Sequence, residues 1–199
     1  MDWNEVYKGT PPWDVGHPQP DFEAIIKNCE IKPGRALDIG CGRGDNAIML
    51  ATNGYDVTGI DLVDDAISDA KSKAAERYVK VNFIVGNVLR MDRLFMETKF
   101  DIVIDSGLFH VMTDEERPVF ARQVHRVLKP GGKYFMLCFS DKEPEGYGPR
   151  RVSKAEIEST FTPLFNIVYI KDSTFYSRSR SNSRDHYLVS AYFVSAVRN

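Results

Sequence analysis

Cysteine is scarce. The 199 residues carry three, Cys29, Cys41 and Cys138, with no C-x-x-C pair, so reduced thiols are expected and neither a disulfide framework nor a zinc site is. No apolar run approaches the length of a membrane span, and the opening MDWNEVYKGTPPWD lacks the charged-then-apolar layout of a secretion signal. A cytoplasmic protein that stays off the membrane is the expectation. An excess of positive charge is also missing: the net charge is −2, which supplies no broad basic face, and nucleic acid is not an expected partner. There are no internal repeats. The one low-complexity stretch, around Arg178, Arg180 and Arg184, reads as a solvated hairpin tip rather than an anion or RNA contact. His17, His125 and His186 are too scattered to argue a metal site, and no metal is expected.

What is present is a hydrophobic content of 43%, enough for one compact domain with a substantial core, expected as a monomer or weak dimer. Residues 1 to 20, rich in Pro, Gly and Trp, are expected to be irregular. DFEAIIKNCE reads as a first helix with Asp21 as its N-cap. Strands and helices then alternate: RALDIG, YDVTGID, VNFIVGN, FDIVIDS and KYFMLCFS have strand character. Helices are expected at 45 to 53, over VDDAISDAKSKAAERY with Ala66, Ile67, Ala70 and Ala74 inward, and from about Asp114 to Leu128. Five strands separated by helices specify a parallel sheet covered on both faces, with ligands at the carboxyl ends of the strands. After a short helix SKAEIESTF the alternation stops. LFNIVYIK and DHYLVSAYFVSAVR read as an antiparallel hairpin joined by DSTFYSRSRSNSR.

Between the first strand and its helix lies IGCGRGD, three glycines in five residues. Such a turn lets a ligand approach backbone N–H groups. Gly40, Gly42 and Gly44 do not make the G-x-G-x-x-G of a dinucleotide site. Asp38, two residues ahead, would repel a pyrophosphate at the helix N-terminus but suits an ammonium. Cys41 inside the turn is most simply a small neutral filler. Asp61, at the end of the second strand, is placed to accept from two ribose hydroxyls, the bland reading being a helix cap. Asn87, after the third strand, is placed beside an adenine edge with Val88 or Leu62 on the ring faces, the bland reading being a turn former.

LDIGCGRG, GIDL, GNV, FDIVIDSGLFHV and VLKPGGKYFMLCF resemble the successive motifs of class I S-adenosylmethionine-dependent methyltransferases. The resemblance implies an α/β fold, a seven-stranded, mostly parallel, doubly wound Rossmann-like sheet ending in an antiparallel hairpin, which agrees with the ending read above. It implies S-adenosylmethionine as cofactor and S-adenosylhomocysteine as product. The segment WNEVYKGTPPWDVGHPQP is similar to the N-terminal part of the thiopurine, tellurite and thiol/halide methyltransferases, whose tryptophan-bearing arm closes over the cofactor. Trp13 or Tyr7 over a sulfonium would form a cation–π contact; alternatively Trp3 and Trp13 staple the arm to the core. The single domain then divides into a lid arm (1–20), a cofactor-binding core (21–139) and a substrate-side loop with the C-terminal hairpin (140–199).

For the methyl acceptor, a small molecule, the resemblance gives no name. Displacement at a sulfonium methyl needs alignment and a desolvated nucleophile, which favours a thiol or other soft nucleophile over oxygen or nitrogen. In DSGLFHV, Asp105 is expected near the cofactor's ammonium or the acceptor, and His110 is either a general base or a polar residue of the helix start or core. Phe109 is expected as a pocket wall. Tyr147 and Arg150, in the loop after the fifth strand, are expected to face the acceptor or solvent. An RNA methyltransferase and a cofactor-binding sensor without turnover are the other readings.

Overall fold

The structure is a computed structural model that describes residues 2–144, 146, 148–178 and 186–199. A single seven-stranded sheet has the order β3-β2-β1-β4-β5-β7-β6. Its parallel strands are β1 (Arg35–Ile39), β2 (Asp56–Asp61), β3 (Asn82–Val85), β4 (Phe100–Ser106) and β5 (Leu128–Phe139). β6 (Phe165–Arg178) and β7 (His186–Arg198) complete it as the antiparallel hairpin. The chain order reverses between β1 and β4, so the ends of β1, β2 and β4 surround the crevice where such sheets bind ligands.

Successive residues point to opposite faces, and each face has its own core. Leu37, Val103, Tyr134 and Met136 pack beneath α6 (Glu116–Val127) and α7 (Lys154–Phe161), with Phe120, Val124 and Phe161. Ala36, Ile102, Ile104, Phe135 and Leu137 pack beneath α2 (Pro20–Lys27), α3 (Asp45–Thr52) and α4 (Asp64–Glu76). The expected stripe of α4, Ala66, Ile67, Ala70 and Ala74, is buried. Small side chains there let the helix lie close to β2 and β3. α7 opens with a capping box in which Ser153 Oγ accepts from the Glu156 N–H at 3.2 Å while Glu156 accepts from the Ser153 N–H at 2.8 Å. Ser153→Ala is expected to cost about 1 kcal/mol, a fall in Tm of about 2–4 °C by calorimetry.

Four boundaries differ from the sequence reading. The first 20 residues are not all irregular: α1 (Trp3–Tyr7) forms one turn, with the Asp2 side chain accepting from the Asn4 N–H at 3.1 Å. Asp21 is not the N-cap of α2. The helix starts at Pro20 after Gln19, as suits a proline at N1, and Asp21 accepts from Ser173 Oγ instead. β5 begins at Leu128 opposite Phe100, then bulges before rejoining at Lys133 opposite Ile102, so the KPGG turn lies inside the strand. β6 continues through the polar DSTFYSR because alternate residues Phe175 and Ser177 are buried; Arg180 and Arg184 fall outside the described residues. Among the described residues no helix is long and apolar enough to cross a membrane.

Candidate active site

The crevice is floored by the glycine turn. Gly42 and Gly44 have φ of 51° and 81°, a left-handed region that disfavours any side chain. Gly44 is the residue before α3, and a Cβ on it would meet Phe83 at 2.7 Å. A Cβ on Gly42 would lie 2.8 Å from the Tyr7 hydroxyl, so the N-terminal arm comes down directly on the turn. Gly40 is covered in the same way by Leu108 at 3.2 Å. Cys41 packs under Gly59, and burial, with the Asp38 and Asp61 charges, pushes its thiol up. It stays a neutral filler.

Two carboxylates flank the turn. Asp38 is 1% exposed, and neither of its oxygens has a hydrogen-bond partner among the described residues. Burial, then the charge of Asp105, pushes its pKa up to about 8, against a smaller lowering by the nearby Ala47 N–H, which stands outside hydrogen-bond geometry. A buried carboxyl without a well-formed hydrogen bond is costly unless a cation or donor meets it. Asp61 has partners: Oδ2 accepts from the Gly42 N–H at 2.9 Å and Oδ1 from the Val63 N–H at 3.0 Å. It thereby ties the turn to the start of α4, while burial raises its pKa. Each oxygen keeps a second lone pair for a hydroxyl.

Beyond Asp61 the surface turns apolar. Leu62 and Val85, at the ends of neighbouring strands, are 55% and 45% exposed, with Leu94 beside them at 46%. Leu94 belongs to α5 (Met91–Leu94). Val88 is buried. Asn87 is exposed, and its Oδ1 accepts from the Leu89 N–H at 2.8 Å to cap a short 3-10 turn, Val88–Arg90. The side chain acts here as a turn former, as one reading of the sequence has it.

On the other side, Asp105 is fully buried and accepts from the Leu108 N–H at 2.8 Å, the Phe109 N–H at 3.2 Å and Tyr134 Oη at 3.0 Å. Burial, opposed by these donors, places its pKa at about 7. The carboxyl thus holds the loop after β4 in place. His110 Nδ1 accepts from the Phe139 N–H at 3.0 Å, which puts the proton of the neutral ring on Nε2. Burial, with the charges of Arg117 and Arg151, depresses its pKa to about 3. The ring contacts Phe139 and Phe175, centroids 4.7 and 6.0 Å away. In this arrangement the imidazole has a hydrogen to give and no lone pair left to take one.

Phe109 is not a pocket wall. It has no exposed surface and lies in the core against Phe120 and Phe161, with the Arg117 guanidinium 4.6 Å above its ring. In a 3-10 turn, Phe109–Val111, neighbouring side chains diverge, and here His110 faces the strand ends. Arg150 is held by Asp114 and Glu156, beside Arg117 in a groove between α6 and α7. Tyr147 lies outside the described residues. Trp13 donates from Nε1 to Tyr7 Oη at 3.2 Å and meets Trp3 edge to face; burial and Asp61 keep the Tyr7 hydroxyl protonated. Sequence reasoning passed over Arg43, Asp14 and Gln19, which fasten this arm. Arg43 is the charged side chain between Gly40 and Gly44, but nothing in linear spacing pairs it with Asp14.

A family model described as a methyltransferase domain matches residues 36–132. The 2-heptyl-1-hydroxyquinolin-4(1H)-one methyltransferase of Mycobacteroides abscessus is 32% identical over 176 residues, 87% of this chain and 76% of that one. A probable thiol methyltransferase 2 of Arabidopsis thaliana is 30% identical, covering 86% and 76%. A solved structure described with the conversion of a disulfide bond into a thioacetal group during echinomycin biosynthesis has a TM-score of 0.89 at 32% identity, covering 99% of this chain and 91% of that one. With its glycine turn, flanking carboxylates and terminal hairpin, the chain belongs to the class I S-adenosylmethionine-dependent methyltransferases and resembles their thiol methyltransferase group.

Proposed function

We propose that the protein transfers a methyl group to a small soft nucleophile, a thiol first among them, and that its residues divide the work as follows. Asp38 meets the ammonium of the cofactor's amino acid, Asp61 the ribose hydroxyls, and Leu62 or Val88 a face of the adenine, with Asn87 at its edge. The orphaned oxygens of Asp38 fit such a cation. Bound S-adenosylmethionine supplies an electrophilic methyl group on a sulfonium. Asp105 fixes the loop that borders the acceptor, and Tyr7 and Trp13 shed water from above. Residues 1–20 thus serve as the arm, 21–139 as the cofactor core and 140–199 as the acceptor side.

The observation that carries the choice of acceptor is His110. With Nδ1 engaged by Phe139 and the ring among Phe139 and Phe175, it serves as a fixed Nε2–H donor to an anion and not as a base. An acceptor that ionises by itself then fits best: a thiol, with an ordinary pKa near 8.5, is already partly ionised at neutral pH. The resemblance to a thiol methyltransferase and to a structure tied to disulfide chemistry supports sulfur. A second reading, methylation of a hydroxylated heterocycle, is favoured by the Mycobacteroides abscessus relative.

A screen with radiolabelled cofactor across thiols, halides, hydroxyquinolones, catechols, amines and tRNA tests this. Thiols are expected to give the highest kcat/KM, by tenfold or more over the oxygen acceptors, the order of one lost charged interaction. Turnover only of hydroxyquinolones would establish the second reading. Cofactor binding without product in any arm would leave a sensor.

A further inference from the structure

The N-terminal arm is fastened at two places by different means. Residues 12–19 are tied to β6 and α3. The Pro12 carbonyl accepts from the Arg178 N–H at 2.7 Å and from Ser177 Oγ at 3.1 Å. Gln19 exchanges two side-chain hydrogen bonds of 2.9 Å with the Tyr176 backbone, and its N–H donates to Asn46 Oδ1 at 3.0 Å. Residues 2–9 reach the body differently from this strap. Among the described residues, the hydrogen bonds that join their backbone to it come from Arg43, whose Nη2 donates to the carbonyls of Gly9 at 3.0 Å and Tyr7 at 3.3 Å. Packing of Trp3 and Tyr7 near Val63 and Ala66 adds a small apolar patch, and the Trp13 ring of the strap meets both, its Nε1 donating to Tyr7 Oη at 3.2 Å.

Arg43 faces both ways. Its Nε donates to Asp69 of α4 at 2.7 Å and its Nη1 to Asp14 of the arm at 2.6 Å. The Arg43 and Asp14 side chains are only 17% and 12% exposed, so this bond is partly shielded from solvent, unlike an ordinary surface pair. The guanidinium also lies 5.7 Å from the centre of the Tyr7 ring. Between flap and strap runs Thr10–Pro11–Pro12, where two consecutive prolines fix φ and confine the residues before them to extended backbone, a stiff joint that separates the two segments.

We propose that Arg43 latches a flap made of residues 2–9, distinct from the fixed strap 12–19, and that opening this latch sets cofactor entry and product exit. Arg43 is a positioning residue: it acts through Tyr7, which it holds above Gly42. The inference rests on the methyltransferase reading for what passes beneath the flap, but the latch itself is a property of the free protein. A lysine cannot replace it, because one ammonium does not span Asp14, Asp69 and two carbonyls.

Hydrogen exchange on the ligand-free protein, with Arg43→Ala, Arg43→Lys and Asp14→Asn, tests the latch. Protection is expected to fall in residues 3–9 of all three and to persist in 12–19. Asp14→Asn leaves the glycine turn intact, so its effect cannot come from a damaged turn. In turnover, KM for S-adenosylmethionine is expected to rise about tenfold in Arg43→Ala and Arg43→Lys, the order of one charged hydrogen bond, with kcat unchanged or higher. Equal exchange of 3–9 in wild type and variants, loss of protection across 3–19 as one unit, or a fall in kcat at unchanged KM would overturn the proposal. Failure of the wild type to bind S-adenosylhomocysteine would instead remove the methyltransferase reading, and the exchange result would still decide the latch.

Discussion

Asp38→Asn and Asp61→Ala are each expected to weaken S-adenosylmethionine by about 10- to 150-fold, the 1.5–3 kcal/mol of a hydrogen bond to a charged group, and to differ in how that loss depends on pH. In the free protein Asp38 holds its proton up to about pH 8. A bound ammonium favours the ionised form, so wild-type affinity should climb from pH 6 to 8 with release of a proton, and level off once the cofactor's own amino group, near pKa 8, deprotonates. Asp38→Asn should flatten this rise; Asp61→Ala should keep it. Calorimetry in buffers of different ionisation enthalpy reads both affinity and protons. A wild-type affinity indifferent to pH would remove Asp38 from the ammonium's side, and NAD binding with no response to S-adenosylhomocysteine would remove the cofactor assignment.

The same carboxyl groups set a stability trend of definite sign. Asp38 and Asp105, at about 8 and 7, have pKa values raised above the unfolded value near 4, so between those limits the folded state carries protons the unfolded chain has released. Their contribution is complete below pH 4 and is lost as pH rises through 7 to 8. The Tm of Asp38→Asn should therefore fall less steeply than wild type between pH 5 and 8. On the proposed reading this apo-state cost and the gain on binding a cation are one effect, because the ligand's ammonium would supply the charge that Asp38 lacks.

Much of this was legible in the sequence because it follows from period and punctuation. Buried runs such as ALDI and IVID mark parallel strands, the spacing of Ala66, Ile67, Ala70 and Ala74 marks α4, and loops at strand ends carry the polar groups of the crevice. Asp38 and Asp61 stand where strand-end reasoning put them. What escaped depends on contacts across the chain. One turn of helix at Trp3–Tyr7 has too little length for a periodic signal, and the polar end of β6 is a strand because β7 supplies its partners. Phe109 and His110 are adjacent in sequence, yet one enters the core beneath α6 and α7 while the other turns to Phe139. Only the geometry of the 3-10 turn assigns them.

His110→Ala is expected to retain kcat within about tenfold of wild type for thiol acceptors, where loss of a general base would cost about 10²–10⁴-fold. The imidazole has its Nδ1 lone pair committed to the Phe139 N–H and a pKa depressed to about 3, so it offers no basic nitrogen at neutral pH. Alanine also leaves that buried N–H without its acceptor, a loss of about 1–3 kcal/mol in stability; His110→Gln, with a carbonyl oxygen in reach, separates folding from chemistry. If the thiol ionises on its own, kcat/KM should rise with pH along the pKa of each acceptor, and two thiols of different acidity should give displaced profiles. The displacement should persist in His110→Gln. Profiles that superimpose for both thiols and vanish with the histidine would show that an enzyme group takes the proton, and would return His110 to the role of base.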